Sequence, residues 1–202
     1  MNMHHIIITG ASRGIGHATA LLYASMGWNI SICSRHCDYQ MTQTQDAITA
    51  AGGQYFSFCG DMGNAADAEE FLTKAVQTFG TPEILVNNAG ISHIGLLQDM
   101  TPMQWDDIIR TNLSSVFYTS RVIIPYFLQE KHGRIINVSS VWGSVGASTE
   151  VAYSTTKGGI NAFTKALAKE LAPSGIPVNA VACGMIDTSM NSFLDPEELA
   201  AV

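Results

Sequence analysis

In the stretch SVWGSVGASTEVAYSTTKGG, running from Ser140 to Gly159, a phenol and an ammonium stand four residues apart, Tyr153 and Lys157. In a helix, residues i and i+4 lie on one face, one above the other. A phenol with a pKa of ~10 is a poor acid–base group at neutral pH. A cation ~4 Å away at an effective dielectric of ~20 is worth ~4 kcal/mol, or ~3 pKa units. Such a pair would titrate near working pH and could move a proton. The bland alternative is an ordinary helical surface pair, and Tyr-x-x-x-Lys alone arises by chance in roughly one chain in three or four of this length. Its weight therefore rests on what surrounds it.

A second chemical feature lies near the N-terminus. Thr9-Gly10-Ala11-Ser12-Arg13-Gly14-Ile15-Gly16 falls directly after a strand-like run and directly before the helical run HATALLYASMG. Gly10 permits a tight turn and the close approach of a diphosphate, Gly16 lets the helix pack on a sheet, and free backbone N–H groups with the helix dipole favour an anion. The spacing is G-x-x-x-G-x-G. After the next strand, SICSRHC puts Ser34 and Arg35 where many dinucleotide enzymes present an acidic residue to the ribose 2′-hydroxyl. A guanidinium cannot accept that hydroxyl, but it can donate a fork to a 2′-phosphate, with Arg13 as a second cation. The expected cofactor is NADP rather than NAD, the alternative being two solvated arginines.

These residues need elements to hold them. The runs HHIIIT, WNISICS, QYFSFC, EILVNN, GRIINVSS and IPVNAVA alternate with stretches whose apolar residues recur every three or four positions. That rhythm predicts an α/β fold, a Rossmann-type, doubly wound parallel sheet in three layers. Thr101, Pro102 and Gln104 mark one helix start, and Asp195 opens a similar one at DPEE. With no linker, repeat or low-complexity tract, residues 1–202 read as one dinucleotide-binding and catalytic domain.

Composition narrows the partners. The net charge is −7 and no block of Lys or Arg occurs, which argues against a nucleic acid or an anionic membrane. Mean hydropathy is +0.15, ample for a core, yet no apolar run approaches the ~20 residues of a membrane span. The short N-terminus leaves no room for a leader, so a cytoplasmic location is expected. Cys33, Cys37, Cys59 and Cys183 show neither C-x-x-C nor metal-ligand spacing and are expected to be buried free thiols without chemistry. No metal site is expected.

Taken together, TGASRGIG, Gly60-Asp61, NNAG at Asn87 to Gly90, Asn112, Ser140, YSTTK and VNAVACG leading to Thr188 resemble the short-chain dehydrogenase/reductase family, collinearly over residues 6–188. Within it, RTNLSSVF, GRIINVSSVWG and AYSTTKGGINAFTKALAKELA are most similar to the bacterial 3-oxoacyl-acyl-carrier-protein reductases. The resemblance implies that hydride passes to a carbonyl carbon while Tyr153 protonates the oxygen. Ser140 holds that oxygen, Lys157 serves the phenol and the nicotinamide ribose, and Asn112 perturbs its helix and anchors a proton-supplying water. Gly10, Ser12, Arg13, Ile15, Gly16 and Arg35 would hold the phosphates. Asp61 and Met62 would meet the adenine, Asn88, Ala89 and Gly90 the cofactor's flank, and Thr188 with the Ile186 backbone the carboxamide. Trp142, Val145, Met185 and His93 fall where the family shapes its substrate pocket, or else pack in core and loop.

Two departures accompany the likeness. Cys183-Gly184 replaces the family's Pro-Gly, which should loosen the loop framing the nicotinamide. The chain also stops ~40 residues short of the family's usual end, with the last helix and strand apparently missing, so IPVNAVA is expected as an apolar edge. The implied assembly is a homodimer or homotetramer through the long helices after Thr101 and Ala152. The implied substrate is a small-molecule or carrier-bound acyl ketone, although Lys131, His132, Lys165 and Lys169 form only a thin basic patch for an acidic carrier. Tyr, Ser, Lys and Asn fix a reaction and not a substrate, so a sterol, sugar-alcohol or other secondary-alcohol dehydrogenase is the alternative. A non-catalytic NADP-binding scaffold is another.

Overall fold

A computed structural model describes residues 4–188. Six parallel strands, β1 (His5–Thr9), β2 (Asn29–Ser34), β3 (Gln54–Cys59), β4 (Ile84–Asn87), β5 (Arg134–Ser140) and β6 (Val178–Cys183), form one sheet in the order β3-β2-β1-β4-β5-β6. All six runs read from the sequence become strands, and the sheet has the expected doubly wound order.

The strands read as near-continuous apolar runs because both sheet faces are covered. Along β1 the side chains alternate: Ile7 joins Phe71, Leu85, Phe127 and Ile135 on one face, and Ile6 and Ile8 join Ile30, Ile32, Met41 and Ile48 on the other. The second face is covered by α1 (Gly14–Ser25) and α2 (Tyr39–Ala50), the first by α3 (Ala65–Phe79), α5 (Ser115–Glu130) and α7 (Val151–Leu171). Asn64 caps α3, accepting from Ala66 N at 2.8 Å. Thr101 and Gln104 form the expected reciprocal capping box at α4 (Pro102–Ile109). The Asp195 cap lies outside the described residues.

Between α4 and α5 the backbone widens into a π-turn, Arg110–Ser114, with Asn112 at its centre. Such bulges aim one side chain out of register with its helix. Since β1 and β4 are neighbours, the chain reverses its direction of winding there and leaves a crevice at the carboxyl ends of the strands, where the site residues gather. Among the described residues β6 has one strand neighbour, β5, so the IPVNAVA run is an edge; Val181 on it is exposed.

The cysteine expectation needs correcting. Only Cys33 is buried; Cys37 and Cys59 are exposed and Cys183 is half-buried. Cys37 follows the end of β2 and Cys59 ends β3, so both sit at strand ends, where covering helices no longer shield them.

Candidate active site

The glycine loop is shaped by close backbone approach. Gly10 adopts φ +65°, and a Cβ there would lie 2.7 Å from Ala89 Cα; one on Gly16 would lie 2.5 Å from the Gly10 carbonyl. Neither position admits a side chain. Asn88 splints the loop to β4, donating from Nδ2 to the Thr9 and Gly10 carbonyls at 2.9 and 2.8 Å, while Thr9 Oγ1 accepts from the N–H groups of Asn88 and Ala89. The Asn88 side chain thus holds the cradle's shape, and Ala89 and Gly90 supply its thin wall. Arg13 stands at the N-terminus of α1 without a side-chain bond to the helix amides, and the first turn carries no acidic residue. Its amides and dipole therefore remain open to an anion.

Ser12, Arg13, Arg35, Asp61 and Met62 line the adjoining part of the same cleft, with Ile15 at the start of α1. Arg13 donates to Gln40 Oε1 at 3.3 Å, and Ser34 Oγ donates to Ser12 Oγ at 3.2 Å. Arg35 lies 3.8 Å from Asp107. Arg110, in the π-turn, grips both Asp61 and Asp107, at 2.5 and 2.6 Å. Burial works against the Asp61 carboxylate, but the Arg110 guanidinium outweighs it and holds the carboxyl below its ordinary range. Met62, 4% exposed, belongs to the core cluster beneath α3 and also borders the cleft. Arg110, Asp107 and Thr111 escaped the sequence reading, since no spacing rule links a residue of the π-turn to the end of β3.

The third corner joins β5 to α7. Ser140 ends β5, and its Oγ accepts from Trp142 N at 3.2 Å, which leaves its hydroxyl proton to donate elsewhere. Gly143 lets the short helix α6 (Trp142–Val145) press on α7, since a Cβ there would lie 2.6 Å from the Lys157 backbone. Tyr153 and Lys157 share one face of α7, with Lys157 Nζ 5.4 Å from the centre of the phenol ring. Asn112, fully buried, clasps the backbone of Ile91 from both sides and donates to Thr156 Oγ1 at 3.1 Å. A Cβ on Gly90 would sit 3.3 Å from Asn112 Oδ1 and 3.8 Å from Lys157 Nζ, which places these three residues together.

The electrostatics differ from the sequence expectation. Lys157 was expected to depress the Tyr153 pKa; instead burial raises it, with a hydrogen bond from Ser140 pulling the other way and Glu150 and Cys183 adding to the rise. Lys157 Nζ donates to the Val138 carbonyl at 2.8 Å, and burial lowers its own pKa to about 8. The ammonium lies over the ring, in the range of a cation–π contact with its face.

Of the substrate-side residues, Trp142 is half-buried, Val145 is 76% exposed, Met185 is exposed and His93 is half-buried. Ile186 is exposed, and Thr188 lies against Gly14, its Cγ2 3.4 Å from where a Cβ would be. Cys183, the Pro-Gly substitute, stands in register with Ser140 on the neighbouring strand.

Two observations test whether a nicotinamide dinucleotide fits. The loop is a cradle at Gly10 and Gly16 that a side chain would fill. Thr111 Oγ1, on a buried residue lining the same cleft, is the one buried side-chain oxygen or nitrogen among the described residues without a hydrogen-bond partner. A buried hydroxyl without a partner is costly and indicates a missing ligand or water. The residues fit the group. Among the described residues no cluster of His, Cys, Asp and Glu could hold a metal, and no helix is long and apolar enough to cross a membrane.

Comparison with known proteins agrees. The family model for short chain dehydrogenases matches residues 4–199. The 3-oxoacyl-[acyl-carrier-protein] reductase of Staphylococcus aureus is 39% identical over 191 residues, 95% of this chain and 78% of the relative. The reductase of the same name from Escherichia coli K12 is 38% identical over 196 residues, 97% of this chain and 79% of the relative. A crystal structure from Sinorhizobium meliloti 1021, assigned provisionally as a short-chain alcohol dehydrogenase, superposes with a TM-score of 0.92 at 30% identity, covering 100% of this chain and 80% of that one.

Proposed function

The chain belongs to the short-chain dehydrogenase family, and on that premise we propose that it is an NADP-dependent oxidoreductase that reduces a 3-oxoacyl thioester to the 3-hydroxyacyl form in fatty acid synthesis. The observation that carries the reading is the convergence of Ser140, Tyr153, Lys157 and Asn112 beside a glycine cradle bordered by Arg13 and Arg35. Identities of 37–39% to reductases of 3-oxoacyl carrier-protein substrates support the choice of ketone.

The cofactor's nicotinamide supplies the hydride, and the chain's own residues manage the oxygen and its proton. Ser140, its lone pair taken by Trp142 N, donates its hydroxyl to the carbonyl oxygen and fixes its position. Tyr153, kept protonated at neutral pH by burial, gives its proton to the developing alkoxide. Lys157 then stabilises the tyrosinate so formed, a charge that exists only once the proton has left. Its role is to favour the product of proton transfer, in place of the pre-ionisation expected from sequence. Arg13 and Arg35 would hold the 2′-phosphate by charge-assisted hydrogen bonds. Asp61, pinned by Arg110, would border the adenine, Thr111 would meet the cofactor's middle, and Thr188 with the Ile186 backbone would hold the carboxamide.

We read the protein as a homodimer or homotetramer, an assembly that would cover Phe117 and Leu128, exposed on α5. For a carrier-bound substrate the basic patch is thinner than its residues suggest, because His132 already faces Glu83 at 3.6 Å. The deciding experiment is NADPH oxidation with an acetoacetyl thioester, compared with simple ketones and with NADH. Faster turnover of the thioester is expected. Turnover of simple ketones alone would replace the acyl reading with a general dehydrogenase, and tight NADPH binding without turnover would make the chain a scaffold.

A further inference from the structure

Two exposed cysteines, one in the loop after β2 and one at the end of β3, approach each other at the rim of the adenosine end of the cleft. Cys59, the last residue of β3, lies in register with Ser34, the last residue of β2, and its Sγ reaches the Arg35 carbonyl at 3.9 Å. From Ser34 the chain turns through Arg35 and His36 to Cys37, two residues beyond the carbonyl that Cys59 Sγ reaches, so the two exposed thiols are neighbours. Arg35 and His36 line the cleft on one side of this contact and Gly60 and Asp61 on the other. The next residue, Asp38, caps α2, whose first turn holds Gln40 against Arg13. Both cations assigned to the cofactor phosphate are thus held by the segment that Cys37 interrupts.

We propose that Cys37 and Cys59 form a reversible disulfide that weakens the chain's grip on NADPH. The oxidant is a hydroperoxide. The sulfur of one thiol attacks the terminal peroxide oxygen, so that an S–O bond forms as the O–O bond breaks; the thiol becomes a sulfenic acid and the rest of the peroxide leaves with the thiol proton as an alcohol or water. The second thiol then attacks that sulfur and expels water. Each sulfur loses one electron, the peroxide bond takes up two, and a dithiol returns the pair to the reduced form.

Geometry gives the direction of the effect. Free thiols stand well outside the ~2.05 Å of a sulfur–sulfur bond, so closure draws Cys37 toward β3. Arg35, two residues before it, must move with the loop. A guanidinium fork tolerates little displacement from its phosphate. Partial desolvation and the neighbouring Cys59 thiol push the Cys37 thiol up to about 11, so closure is slow at neutral pH and responds to sustained oxidant. Cys33 also lies near Cys37, but it is buried and burial pushes its thiol up to about 12, which removes it as a competing partner.

The affinity effect rests on the dinucleotide reading of the cleft, whereas the bridge itself does not. The test treats the full-length chain with stoichiometric hydrogen peroxide, maps peptides without reduction, and titrates NADPH by fluorescence before oxidation, after it, and after dithiothreitol. The expected result is a cross-linked pair of peptides containing Cys37 and Cys59, two hydrogens lighter than the sum of the free peptides. NADPH affinity should fall about tenfold, roughly the value of one displaced charge-assisted contact, and recover on reduction. Cys37→Ser and Cys59→Ser, conservative changes at exposed positions, should bind NADPH as the parent does and lose the response. Separate oxidation of the two thiols, or a bridge to Cys33 or Cys183, overturns the proposal, as does a bridge with unchanged affinity. If the reduced chain binds no NADPH, the proposed function and the affinity effect fall together, and the peptide map still decides the bridge.

Discussion

Lys157 Nζ donates to the Val138 carbonyl at 2.8 Å, and this single bond fixes a buried ammonium 5.4 Å from the centre of the Tyr153 ring. The carbonyl belongs to β5 and the lysine to α7, so the contact ties the sheet to the helix carrying the phenol. A cation this deep resists ionisation because it has left bulk water, and burial accordingly lowers its pKa to about 8.

That value predicts a pH dependence of activity. Ketone reduction should decline as pH rises through about 8, because the charge that stabilises the tyrosinate is lost there. Tyr153 keeps its proton over the same range, and among the described residues Cys183 is the one further group that shifts the lysine. The limb should disappear from the kcat/KM profile of Lys157→Met; an unchanged limb would assign it to another group.

Stability should move in the opposite sense. Unfolded, the lysine keeps its proton to about 10.5, and folded only to about 8. Between those values the unfolded chain binds more protons, so raising pH favours the folded state through this group. Other groups titrate there as well, so the measurement is a difference: Tm of the parent minus Tm of Lys157→Met should increase from pH 8 to pH 10. A constant difference would place the lysine's pKa near its ordinary value.

Tyr153→Phe should reduce turnover by about a hundredfold or more while NADPH affinity changes less than about threefold, since general-acid catalysis contributes on the order of 10²–10⁴ and the ring still packs. Loss within tenfold of the parent would remove Tyr153 from the proton path.

Arg35→Asp should shift preference from NADPH toward NADH by about ten- to a hundredfold, as a carboxylate repels a 2′-phosphate and accepts from ribose hydroxyls. It also places a second acid beside Asp107, so NADPH and NADH affinities must both be measured. A parent that uses the two cofactors equally would end the argument from Arg13 and Arg35.

Asn112→Ala would orphan the N–H and C=O of Ile91, each now paired at 2.8 and 2.9 Å. The cost is about 1–3 kcal/mol for one buried group left unmade, or about 2–12 °C in Tm for a chain of this size. Calorimetry reads it directly, and a Tm within 1 °C of the parent, well below the ~2 °C minimum expected, would mean that the clasp is dispensable.

Much of this arrangement was legible in the chain itself. Six apolar runs became six strands because a parallel sheet buries both faces and so writes an uninterrupted pattern. The Thr101 box was readable because capping is decided within four residues, and so was the glycine loop, since the demand at Gly10 is one of local backbone conformation and close approach. Tyr153 and Lys157 share a face because helical geometry alone puts them there. What the fold decided lies in contacts between distant segments. The π-turn, the Arg110 grip on Asp61 across 49 residues, and the meeting of Cys37 with Cys59 have no signature within either segment. The sign of the Tyr153 shift is of the same kind. Spacing shows that a cation is near, but whether it depresses a phenol depends on what else that cation binds and on how much water both have lost, and these are properties of the packed interior.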